Sequence, residues 1–447
     1  MALHIRRWLT AAVATAAVLG AAEPAAIADT PTTTPAANTA AAFAAEDGAY
    51  PDAQQLQQAT GMTVTRGDGG IVYTPCDTPH QITIWGRSVT LPMYRACFTA
   101  PGASGYLALN VPDAFRIETT GRTLHANLTT DGSAQSVDVA ADSAVGVGEG
   151  AATGSHSVLL ELNVTGSTAQ PPAAPKPDPG TAATARIAVG SLGRGGRACT
   201  GTLVAPQWVL SAADCFATDP ADFTTAHAGL LPTRTTATIG THTVEVVEIA
   251  PRTDRDLVLA RLAVPVYDVT PIAVSTTAPA TGEALTVAGW GRTATTWVPD
   301  APHAATLTAA AVTAGGVDLT AKTAADTVCK GDAGAPALRT ENGKPAIAAV
   351  TSRAWQGGCL GTDPAETRTG ASEARVDDLA SWVGGLVNRS YQLVNPASGR
   401  CVNVSGQGPT WDNLNPIILF DCVPGAGNEA FQLTASGQLY NPASKRC

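Results

Sequence analysis

CTGTLVAPQWVLSAADC spans Cys199 to Cys215, and the reading of the fold starts there. A short apolar run, WVLS from Trp208, is followed by small residues, then by Asp214 and a cysteine. Four further stretches follow in order: DLVLARL from Asp256, VAGWGRT around Trp290, CKGDAGAP from Cys329 to Pro336, and ARVDDLASWV from Ala374. Short apolar and β-branched runs separated by turn residues predict many strands over residues 183–388, ending in a helical pattern in VDDLASWVGGLV.

Taken together, these five motifs resemble those of the trypsin-like serine proteases, in the family's order and over about 200 residues. The resemblance implies a chymotrypsin-like double β-barrel with a site in the cleft between the barrels. It also implies the site residues. Asp256 falls at the triad carboxylate. Asp214 stands where the family has its histidine, and Ala333 where it has its serine. The backbone amides of Gly331 and Ala333 match the oxyanion hole, and Thr327 and Ser352 match the substrate pocket and substrate strand. Acyl transfer needs a hydroxyl nucleophile, an imidazole that takes and returns its proton, and a carboxylate that orients the imidazole. Alanine has no oxygen, and a carboxylate with an ordinary pKa near ~3.9 is a poor base at neutral pH. His227 and His242 follow Asp214 closely but carry no motif and are expected at the surface; His303 is expected in a loop. An activating amine would pair with Asp332 in the family, yet the matching region is the linker KPDPGT. Asp332 is therefore expected to lack that partner.

The flanks differ in texture. His4, Arg6 and Arg7 precede a short apolar run, and Ala26-Ile27-Ala28 is a small-x-small site, so residues 1–28 are expected to be a secretory signal peptide. Residues 29–45 are low in complexity and expected to be unstructured. Residues 46–166 alternate in the manner of a β-sandwich or barrel of unknown role; the Arg66-Gly67-Asp68 tripeptide inside them is read as incidental to a turn. Residues 167–182 form a Pro/Ala linker. At residues 389–447, NPASGRC and NPASKRC recur 46 residues apart. This tail resembles the first repeat of a ricin-type β-trefoil lectin with the opening of a second, a truncated domain. The resemblance makes Asn403 and Trp411 the sugar-contacting candidates.

Nine cysteines in an exported chain predict a disulfide framework. The two resemblances imply the pairs Cys199–Cys215, Cys329–Cys359 and Cys401–Cys422. Cys76 and Cys97 are the remaining two in one domain, and Cys447 is left over. The net charge of −10 and the absence of a basic patch argue against nucleic acid. No apolar run is long enough for a membrane span. No histidine pair has metal-ligand spacing, and neither metal nor cofactor is expected. Three functions fit an extracellular, all-β chain of this kind. The first is an inactive protease homologue that binds a protein or peptide in its cleft. The second is an active serine endopeptidase using other residues. The third is a carbohydrate-binding adhesin for which the central domain is scaffold.

Overall fold

The computed structural model describes residues 40–90, 92–151, 155–167, 181–406, 414–434 and 436–447. The expected signal peptide, most of the expected low-complexity segment and linker, and Trp411 lie outside the described residues.

The first part is a sandwich of two five-stranded sheets over one core. One sheet runs in the order Ala144–Gly146, Ala114–Thr119, Ile82–Gly86, Arg95–Thr99, Val72–Thr74. The other runs Thr63–Gly67, Ser104–Pro112, Ser157–Ser167, Arg122–Thr130, Ser133–Val139. Strict alternation sets the faces. In Arg122–Thr130, Leu124, Ala126 and Leu128 enter the core while Thr123 stays exposed. The Arg66-Gly67-Asp68 tripeptide is built into this framework, with Arg66 donating to the Asp47 carbonyl and Asp68 Oδ1 accepting from the Gly70 and Tyr106 amides.

Two six-stranded antiparallel barrels follow. The first closes as Thr184–Val189, Arg197–Ala205, Trp208–Ser211, Val258–Leu262, His242–Pro251, Gly229–Ile239. In the second, Pro336–Glu341, Ala284–Gly289, His303–Val312, Gly316–Ala321 and Ala371–Arg375 form a path that Lys344–Ala354 closes by pairing with both ends. Helix Ala380–Val387 follows the last of these strands. One apolar cluster runs through both barrels, so they form a continuous body. The sandwich is tied to them through Trp297, which is 4% exposed, belongs to the sandwich core, and meets the edge of Tyr50 at 5.1 Å between ring centres. A cavity of about 1060 Å³ lies between sandwich and barrels, lined by Tyr73, Arg186, Trp297 and Asp300 among others, and none of the triad positions reaches it.

Four disulfides join Cys76–Cys97, Cys199–Cys215, Cys329–Cys359 and Cys401–Cys422; Cys447 is exposed and unpaired by any disulfide. The tail holds two two-stranded sheets, Cys401–Val404 with Ile417–Phe420 and Gln432–Leu433 with Leu439–Tyr440. Among the described residues no helix is long and apolar enough to cross a membrane, and no group of three or more His, Cys, Asp or Glu side chains is placed to hold a metal ion.

Two expectations need correction. Residues 41–45, read as the end of an unstructured segment, are ordered: Ala42–Phe43 pairs with the strand Lys344–Ala354, and Ala41, Ala44 and Ala45 are buried. His303, read as a loop residue, opens the strand His303–Val312. In both cases the burying partners are remote in sequence, which local composition does not register.

Candidate active-site cleft

The short helical turn Ala213–Cys215 follows strand Trp208–Ser211 and is pinned by the Cys199–Cys215 disulfide. That turn buries Asp214 completely. The Asp214 backbone N–H donates to Asp256 Oδ1 at 2.8 Å, and the Ser352 hydroxyl donates to Asp256 Oδ2 at 2.7 Å. Asp256 therefore has partners on both oxygens. Asp214 has none: neither of its carboxyl oxygens is hydrogen-bonded. Burial first, and the neighbouring Asp256 charge second, push the Asp214 carboxyl well above the usual carboxylate range, against the pull of the nearby Cys215 N–H, which stands outside hydrogen-bond geometry, and of Arg197 and Arg353. Burial also raises Asp256, though its hydrogen bonds from Ser352 and the backbone hold it back. The proton of the pair thus belongs on Asp214, the member with no donors.

This placement makes a prediction. In the unfolded chain Asp214 has an ordinary pKa, and in the fold it is raised. The stability that its neutral form contributes is full below the ordinary value and is lost as pH rises through the folded one. Asp214→Asn removes that loss. The variant is expected to melt near wild type at pH 4 and to gain about 1–3 kcal/mol by pH 8, the range for relieving a poorly satisfied buried polar group. Melting curves across that range check it; a wild-type-to-variant gap that does not widen with pH would refute it.

Ala333 is completely buried in the loop between Cys329 and Pro336. Thr200 ties this loop to the first barrel: its N–H donates to the Ala333 carbonyl at 2.8 Å and its hydroxyl to the Gly331 carbonyl at 2.9 Å. Gly334 needs its missing side chain, since a Cβ there would lie 2.0 Å from the Thr200 carbonyl oxygen, and its φ of 85° disfavours other residues. The N–H groups of Gly331 and Ala333 converge on one acceptor, the Ala44 carbonyl oxygen, at 2.6 and 3.1 Å. Two backbone donors thus form a cradle around one acceptor, and that acceptor comes from within the chain.

Asp332 is fully buried behind this loop. Its carboxylate accepts from the Gly291 N–H at 2.8 Å and the Cys329 N–H at 3.0 Å. His303 Nε2 stands 3.3 Å from Asp332 Oδ1, outside hydrogen-bond geometry. Burial works against the charged imidazole, but the Asp332 carboxylate outweighs it and raises the His303 pKa. His303 thus approaches Asp332 from the second barrel, and motif spacing had no means of finding it. Gly291 makes the approach feasible, because a Cβ there would fall 2.5 Å from the Asp332 carboxyl carbon.

Among the other expected residues, Thr327 is buried with an unpartnered hydroxyl. Ser352 lies on the strand that receives Ala42–Phe43, and its carbonyl accepts from the Ala44 N–H at 3.1 Å. His227 is exposed, and His242 pairs with Asp268 at 2.8 Å at the surface, away from the triad positions. In the tail, Asn403 is 5% exposed; its amide donates to Glu429 and accepts from Asn428. That side chain is engaged internally.

Among curated proteins none matches the chain. Residues 178–383 match the family model Trypsin. With the two closed barrels, this part of the chain has a trypsin-like fold.

Proposed function

We propose that the trypsin-like part is a catalytically inert protease homologue in a secreted protein, and that its cleft binds a protein or peptide. The observation that carries this is Ala333, buried at the nucleophile position with its amide aimed into the cradle. A methyl group cannot form an acyl-enzyme, and loss of the nucleophile alone lowers turnover about 10⁶-fold in a comparable triad enzyme. Asp214 compounds the loss, since a carboxyl buried without donors favours its proton and is a poor acceptor of another. Neighbouring hydroxyls are already engaged: Ser352 donates to Asp256, Ser211 donates to the Thr200 carbonyl at 2.7 Å, and Thr200 donates to the Gly331 carbonyl. Four disulfides support an oxidising, extracellular setting.

Purified protein is expected to hydrolyse peptide substrates no faster than a blank and to leave serine-directed fluorophosphonates unreacted. Stoichiometric labelling within residues 183–388 would restore the endopeptidase reading. The internal hydrogen bonds of Asn403 weigh against the adhesin reading, and glycan-array binding by the full chain would support it.

A further inference from the structure

Residues 42–46 run from the second barrel to the first, beginning as the two-residue strand Ala42–Phe43 and ending in an isolated bridge at Glu46. Ala42 and Phe43 pair antiparallel with Ala354 and Arg353. The Ala44 N–H reaches the Ser352 carbonyl, and the Ala44 carbonyl enters the Gly331–Ala333 cradle. Two residues later the segment changes barrels: Glu46 and Ala198 exchange both backbone hydrogen bonds at 2.9 Å. Side chains grip it as well. The Arg353 guanidinium sits 3.7 Å from the Phe43 ring centre. Ala44 and Ala45 are buried, at 0% and 8% exposure. Arg292 forks the Glu46 carboxylate at 2.5 and 2.7 Å, with both side chains only 4% exposed.

We infer that the cleft is a strand-accepting site for extended peptides of the form aromatic–small–small–glutamate, and that residues 43–46 of this chain are its resident ligand. This rests on the inert reading of the triad. The Ala44 carbonyl occupies the cradle beside position 333, so the Ala44–Ala45 bond lies where a hydroxyl at 333 would attack. With a methyl group there, the segment stays whole and in place. Recognition combines strand addition, which supplies backbone hydrogen bonds, with side-chain contacts that supply selectivity. Arg292 is the selective element, because a ligand lacking the glutamate leaves a buried guanidinium short of its charge partner.

The probe is a fluorescein-labelled peptide, Ala-Ala-Phe-Ala-Ala-Glu-Asp-Gly, matching residues 41–48. The host is the full chain carrying Ala44→Pro and Glu46→Lys, which remove the donor to Ser352 and set a positive charge against Arg292. This host is expected to bind the peptide at least about 100-fold more tightly than wild type, where the tethered segment competes at an effective concentration in the millimolar range. A peptide with glutamine for the glutamate is expected to bind the host about 30-fold or more weakly. Equal binding by host and wild type, or no binding by a folded host, overturns the inference. If the host fails to fold, hydrogen exchange on wild type decides. Slow exchange at the Ala44, Gly331 and Ala333 amides supports the resident strand, and exchange at the free-chain rate overturns it. Binding followed by cleavage of the peptide would support the site and sink the inert reading, so the two fail separately.

Discussion

Arg292→Ala is expected to lower stability by about 3–5 kcal/mol, the range for breaking a buried ion pair from one side. The guanidinium donates through Nε and Nη2 to both oxygens of Glu46, and through Nη2 to the Ala49 carbonyl at 2.8 Å. Its face also lies 5.5 Å from the Trp297 ring centre. Removing it leaves the Glu46 carboxylate in a site 3% exposed, with the Gly48 N–H at 2.8 Å as its remaining side-chain partner. That partner does not replace a full positive charge. The loss should therefore exceed what an exposed pair yields, about 0–1 kcal/mol. The double variant Arg292→Met with Glu46→Leu should recover most of the stability, because apolar residues of similar size often match a buried pair. Denaturant unfolding of wild type, single and double variants makes the comparison. A single-variant loss under 1 kcal/mol would mean that the pair is not holding the segment.

That ion pair also marks what was and was not legible in the sequence. The barrels were legible, because five motifs kept their order and strand alternation is local. The disulfides were legible, because the two resemblances implied three of them and the fourth joins the remaining two cysteines of one domain. The strand Ala42–Phe43 was not. AAFAAE has no turn residue and little period, and it follows a Thr/Pro/Ala run, so composition assigned it to the unstructured lead. Its fate is decided by Ser352, Arg353, Ala198 and Arg292, all more than 150 residues away. Which residues to set against the family's triad was readable from the motifs. What surrounds those residues was not: the unpartnered Asp214 oxygens, the filled cradle and the His303–Asp332 approach depend on which side chains meet across the cleft.

Glu373→Gln should give the largest pH-dependent gain in stability. Glu373 lies on strand Ala371–Arg375, pairs in register with Thr351, and is 2% exposed. One carboxyl oxygen accepts from the Thr351 hydroxyl at 2.9 Å; the other has no partner. Burial pushes its pKa up to about 8, opposed by the Thr351 hydrogen bond and reinforced by the charge of Asp332. The folded chain therefore keeps a proton on Glu373 at neutral pH that the unfolded chain has released. Between the ordinary glutamate value and about 8 the folded state binds more protons, so stability falls as pH rises through that window and is flat above it. At about 1.36 kcal/mol for each pH unit of that window, the wild type gives up on the order of 5 kcal/mol by pH 8. Glutamine is neutral throughout, nearly the same shape, and can still accept from Thr351. The variant should match wild type near pH 4 and pull ahead steadily to pH 8, with no further gain at pH 9. Thermal or denaturant unfolding at one-unit steps from pH 4 to 9 would read this directly. Parallel pH profiles for the two proteins would mean that Glu373 is already ionised in the fold, and that water or a shifted neighbour reaches its second oxygen.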